Sequence, residues 1–169
     1  MFYYKAYRVL LLLLIFSFLS IVFSKDITSG GKLSKNQLGV DVRHYDIRLK
    51  VDPKRKIISG HVNIKIKIID EVRFIELDLL NQYFISKVMI DSVTTPFKHR
   101  DNTIFIKPQN LEINSTILVT VEYKGKPPIA ENPPWDGGFT WSKSKDGYPW
   151  IGVSCQSNGS HLWYPSKEH

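Results

Sequence analysis

Cysteine is almost missing from this chain. Cys155 is the only one in 169 residues, so no internal disulfide can form and the fold must rest on its hydrophobic core. Long apolar runs are missing too, with one exception. Val9 to Phe23 is apolar apart from Ser17 and Ser20, and Lys5 and Arg8 precede it. A bilayer span needs about 20 apolar residues, and this run is shorter. Val22 and Ser24 are small enough to precede a cleavage site before Lys25. Residues 1–24 are therefore expected to form a signal-peptide helix, with a membrane as partner only if that segment stays uncleaved. No cysteine near the cut offers a lipid attachment point. Export combined with a lone cysteine fits a bacterial periplasm or exterior better than a small cystine-rich scaffold.

Charge of one sign is not concentrated anywhere. The formal net charge is +7, and without Lys5 and Arg8 it is +5, 21 basic against 16 acidic residues. The basic residues are scattered, as at Lys65 and Lys67, which alternate along a strand-like segment. No basic run interleaves with a recognition motif, so nucleic acid is not expected as a partner.

Catalytic signatures are absent as well. There is no HExxH, and Ser154-Cys155 lacks the Gly-x-Ser-x-Gly elbow. Gly137-Gly138 follows Pro-Pro-Trp-Asp, not a strand entering a helix, which excludes a phosphate loop. His44, His61 and His99 each lack a second ligand at metal spacing and read as surface or hydrogen-bonded histidines. Cys155, His161, Glu168 and His169 cluster in sequence, but their spacing matches no zinc pattern. Cys155 reads as a small buried hydrophobe. Asn114-Ser-Thr and Asn158-Gly-Ser match the glycosylation triplet, which matters only in a host that glycosylates.

What is present is strand periodicity. Arg43, Tyr45, Ile47, Leu49 and Val51 share one face of the first run. After the turn at Asp52-Pro53-Lys54-Arg55, Ile58, Gly60, Val62, Ile64, Ile66 and Ile68 share one face of the second, which is expected to hairpin with the first. Further runs place Ile75, Leu77 and Leu79 inward, then Phe84–Ile90, Thr103–Lys107, and Ile117, Val119, Val121 and Tyr123. No segment shows a helical period. Lys25 to Val40 is polar, contains Gly30-Gly31, and reads as a flexible lead-in. The expected fold is all-β, an antiparallel sandwich or curved sheet over residues 41–169. After Lys126, Pro-Pro and Gly-Gly pairs interrupt any central strand. That stretch reads as a long loop studded with Trp135, Phe139, Trp141, Tyr148 and Trp150. Its aromatics either cover the open end of a sheet or another domain, or stack on sugar rings. The second choice would make this a stand-alone carbohydrate-binding or adhesive β-sandwich.

The order of motifs adds a resemblance. Asp41-Val-Arg-His-Tyr-Asp-Ile-Arg-Leu is followed by Ile58-Ser-Gly-His-Val-Asn-Ile, Phe74-Ile-Glu-Leu-Asp-Leu-Leu and Val119-Thr-Val-Glu-Tyr-Lys-Gly-Lys-Pro. Gly137-Gly-Phe-Thr-Trp, Cys155-Gln and Trp163-Tyr-Pro-Ser-Lys-Glu-His complete the set. The series resembles the N-terminal β-domain of the aminopeptidase N-like zinc metallopeptidases. The resemblance implies a saddle-like β-domain packed on a catalytic domain that removes N-terminal residues from peptides. The GxMEN and HExxH motifs of that domain do not occur here, so the chain is expected to stop before it and to be incomplete at the C-terminal end of the β-domain. No cofactor is then expected within these residues; zinc belongs to the catalytic domain, which is the expected partner together with the peptide substrate. Activity from this chain alone is doubtful. In relatives a Gln or Glu at the position of Gln156 lies on the wall of the substrate pocket. Gln156 is therefore the one substrate-binding candidate, with a structural amide as the alternative.

Overall fold

The computed structural model describes residues 31–168. The signal segment 1–24, the first part of the lead-in and His169 lie outside the described residues. Among these residues, ten strands follow a short helical turn, α1 (Lys35–Leu38). Strands β1 (Val40–Asp52), β2 (Ile57–Ile68), β4 (Phe84–Ile90), β5 (Val93–Thr94) and β8 (Thr116–Gly125) form a five-stranded antiparallel sheet in the order β1-β2-β8-β4-β5. Strands β3 (Ile75–Asp78), β6 (Phe97–Arg100) and β7 (Thr103–Ile106) form a second sheet in the order β3-β7-β6. A two-stranded ribbon, β9 (Gly138–Lys143) and β10 (Pro149–Ser154), completes the set.

The core lies between the first two sheets. From β2 it takes Ile58, Val62, Ile64, Ile66 and Ile68, and from β8 it takes Ile117, Val119, Val121 and Tyr123. Ile75 and Leu77 of β3 and Ile104 and Ile106 of β7 supply the opposite side. Each fully buried aliphatic side chain contributes about 1.5–3 kcal/mol. The expected all-β antiparallel architecture is therefore the observed one. Two sheets with one apolar face each have little choice but to bury those faces against each other.

Strand β1 hairpins with β2 as its periodicity implied, but its phase changes once. The pairing runs Val42 to Ile66 and then His44 to Lys65, so Arg43 is an extra, bulged residue. Arg43 is consequently exposed instead of facing the core, and Val42, Tyr45, Ile47 and Leu49 pack against it. Gly60 sits opposite Leu49 on β2, where a Cβ would collide with the backbone carbonyl of Arg48.

From Ser34 the lead-in forms the helical turn α1. Ser34 Oγ accepts from Gln37 N at 3.0 Å, and Ser34 N donates to Gln37 Oε1 at 3.0 Å, a reciprocal capping box. Ser34 Oγ also donates to Glu76 Oε2, and Asn36 Nδ2 to Glu76 Oε1, so this turn buries the Glu76 carboxylate. Val40 behind it is buried.

Candidate functional site

The stretch read as a long aromatic loop contains the β9–β10 ribbon. Gly138 opens it at φ 144°, and a Cβ there would meet the backbone of Pro128, Ile129 and Ala130. This close approach lets Phe139 N donate to Pro128 O at 2.7 Å and Ala130 N to Phe139 O at 3.1 Å. Alternation then divides the aromatics. Phe139 is buried, and Trp141 lies stacked beside it with ring centroids 5.3 Å apart. Ile151, paired with Trp141 across the ribbon, also packs on the core. Trp135, Tyr148 and Trp150 remain 65–72% exposed. Two of the rings pack at the core, and three face outward.

Directly after β10 the chain turns at Cys155–Gly159. Asn158 N and Gly159 N both donate to Cys155 O, at 3.2 and 2.9 Å, and Ser157 takes φ 67°. Asn158 Oδ1 accepts from Gly137 N at 2.9 Å, tying the turn to the start of the ribbon. Gln156 stands at the exposed crest of this turn. Cys155 is half-buried, and burial pushes its thiol up from the ordinary value.

The segment from Ser160 to Glu168 is anchored by a polar network. Tyr83 and Tyr123 donate their hydroxyls to the carbonyls of Leu162 and Trp163, at 2.6 and 2.7 Å. Burial raises both phenols well above the usual range, so they remain donors at any physiological pH. Lys167 N donates to Tyr45 Oη at 2.9 Å, and Lys167 Nζ to Val40 O at 2.7 Å. Tyr45 is pushed up to about 12, chiefly by burial. Ser166 pairs with Asp78 at the edge of β3, and Glu168 N donates to Asp78 Oδ2 at 3.1 Å.

Glu168 Oε1 gathers the Ser160 hydroxyl at 2.7 Å, the Ser166 hydroxyl at 2.9 Å and His161 N at 2.8 Å. His161 Nδ1 lies 3.4 Å from the same oxygen, close enough for an ion pair but too poorly aligned for a good hydrogen bond. Burial alone would raise the Glu168 carboxyl; the hydrogen bonds outweigh it and hold Glu168 at about 2. His161 and Glu168 therefore meet, but as an anchor. Among the described residues no group of three or more His, Cys, Asp or Glu side chains converges to hold a metal ion. His99 lies on β6 with Nε2 3.0 Å from Leu79 O.

No family model and no curated protein matches the chain in sequence. Solved structures do match in fold. A Deinococcus radiodurans M1 zinc metallopeptidase mutant bound to a Tyr-Ser-Ala substrate superposes with a TM-score of 0.62 at 22% identity over 78% of this chain. A two-domain M1 zinc metallopeptidase bound to L-arginine gives 0.65 at 22% identity over 86%. Native leukotriene A4 hydrolase from Saccharomyces cerevisiae gives 0.60 at 16% over 79%. The fold is the N-terminal β-domain fold of M1 zinc metallopeptidases. The chain spans 30%, 33% and 22% of these three enzymes respectively. In this fold the turn bearing Gln156 directly follows the ribbon that carries Tyr148 and Trp150 in the chain. The polar anchor beneath them fixes the segment that leaves the turn.

Proposed function

We propose that this chain is the exported N-terminal β-domain of a zinc aminopeptidase that removes N-terminal residues from peptides. The observation that carries the reading is the M1 fold match over 78–86% of the chain, with enzymes of which it spans only 30–33%. In this reading the zinc and its ligands belong to a catalytic domain outside these residues. That domain packs on the ribbon and covers Trp135, Tyr148 and Trp150. Gln156 then stands at the domain boundary, where its amide oxygen accepts a hydrogen bond from the substrate ammonium without adding charge. Residues 1–24 direct export. Support for the Gln156 role is its exposed position on a hydrogen-bonded turn.

The test is to read the transcript beyond the codon for His169, express the whole frame, and assay hydrolysis of aminoacyl-anilides. An HExxH-bearing frame and an activity abolished by a zinc chelator are expected. A frame without such a motif, and a protein that cannot cleave these substrates, would sink the proposal. Three outward aromatics favour a second reading, a carbohydrate-binding module whose rings stack on sugars. Retention of the chain on insoluble polysaccharide, lost on replacing Trp135 and Trp150, would select it.

A further inference from the structure

The outer face of the β3-β7-β6 sheet carries a groove of about 400 Å³, remote in the chain from the ribbon and its turn. Such a volume lies at the lower end of the range for ligand sites, about 300–1,000 Å³. Phe74 and Phe105 form its floor, edge to face with centroids 6.2 Å apart. Arg73 lies over the Phe74 ring at 5.4 Å, and Arg100 over the Phe105 ring at 5.3 Å. Lys98 and Lys107 also line it, with Pro96 and Phe97.

Four cations thus converge on one small apolar surface. Among the described residues none of them has a carboxylate within ion-pair distance. Arg43, Arg48 and Arg55 elsewhere each pair with a neighbouring aspartate. The carboxylates that β3 offers on that face are already taken, Glu76 by Ser34 and Asn36 and Asp78 by Gln37 and the Glu168 amide. A guanidinium seated on a ring is held in place with its N–H groups directed outward, which favours planar pairing with carboxylate.

We propose that this groove binds an acidic polypeptide segment that carries apolar side chains between its carboxylates. The strands lining it have four residues each, about 13 Å, so the groove takes three or four residues of extended chain. The phenylalanine floor receives the apolar side chain, and the arginines and lysines receive the flanking carboxylates. The guanidinium groups occupy ring faces that a nucleobase would need for stacking, which disfavours single-stranded nucleic acid. Residues 1–30 of this chain do not match, since they hold Lys5, Arg8 and Lys25 against Asp26 alone. A second copy, itself at +7, is repelled. The occupant is a separate, acidic polypeptide. This inference is independent of the aminopeptidase reading.

The test uses the full chain and a fluorescein-labelled octapeptide of alternating Asp and Leu, read by fluorescence anisotropy. Saturable binding is expected, weakened at least tenfold in about 0.5 M salt. The double variant Lys98→Glu/Arg100→Glu should lose at least tenfold in affinity. Lys65→Glu/Lys124→Glu makes the same change in net charge on the other sheet and should lose less than about threefold. All four of these side chains are exposed, so folding should survive, and Lys107→Glu serves as a further single-site check. A peptide with Ser in place of Leu should bind more weakly. The proposal is overturned by absence of saturable binding, by equal losses in the two double variants, or by tighter binding of an oligothymidylate of equal charge.

Discussion

Replacing Glu168 by Gln removes a charge that three hydrogen-bond donors and a histidine surround. Its carboxyl is held at about 2 against an ordinary 4.5. That difference corresponds to roughly 3 kcal/mol of added stability in the ionised form. The side chain is 17% exposed, so little of this is screened away, and about 2–3 kcal/mol is the expected loss in Glu168→Gln at pH 7. For a domain of this size that lowers the melting temperature by roughly 4–12 °C. A depressed carboxyl contributes fully above its unfolded value and loses its contribution as pH falls through its folded value. The gap between wild type and variant should therefore be constant above about pH 5 and close between about pH 5 and 2. Asp78 works in the opposite direction, because burial raises its carboxyl and protonation there favours the fold as pH falls. Part of the raise at Asp78 comes from the Glu168 charge, so the variant also eases Asp78, and a Glu168→Gln/Asp78→Asn pair separates the two. Urea unfolding at pH 7, 5, 4, 3 and 2 supplies the curve. A variant as stable as wild type at pH 7, or a gap that persists undiminished at pH 2, would refute the reasoning.

Gly60→Ala should destabilise the β1–β2 hairpin by about 1–3 kcal/mol, because its methyl meets the Arg48 carbonyl; denaturant midpoints measure it. Trp135→Ser/Trp150→Ser should reduce binding of an apolar dye and self-association while leaving the melting temperature within a few degrees, since both rings are exposed. In the whole enzyme, Gln156→Ala should lower kcat/KM by roughly 10- to 150-fold on substrates with a free amino end, the worth of about 1.5–3 kcal/mol for a hydrogen bond to a charged group. Zinc content and melting temperature should not change; a loss of stability with kcat/KM within about twofold would make the residue structural.

Much of the sandwich was legible because its inner faces are written as strict alternation. In β2 and β8 each inward position is apolar, and no residue is inserted to break the period. In β1 a single bulge moves Arg43 out of phase, and alternation counted from the sequence cannot register an inserted residue. Helix α1 left a readable trace in Ser34-Lys-Asn-Gln37, a capping-box pattern too short for hydrophobic periodicity to flag. The β9–β10 ribbon was obscured by the Pro and Gly pairs flanking it, although Phe139 and Trp141 do alternate within it. The polar anchor was beyond reach of any spacing rule. Lys167 meets Val40 across 127 positions and Glu168 meets Asp78 across 90, so only the folded sheets bring them together. Gln156 was named through a resemblance, and its exposure on a tight turn became visible only with Ser157 and Asn158 in place around it.

The long reach of that anchor bears on the order in which the protein can assemble. Hairpin β1–β2 closes over a few residues and can form as soon as it leaves the ribosome. The edge of β3, by contrast, waits for Ser166, and the carbonyl of Val40 waits for Lys167. Closing loops of this length carries an entropy cost that grows only slowly with length, but it cannot be met before the distant partner exists. During synthesis β3 therefore passes through a period with one unpaired edge, the kind of exposed template that recruits other strands. Chaperone demand should be greatest just before residues 160–168 emerge and should fall once they have docked.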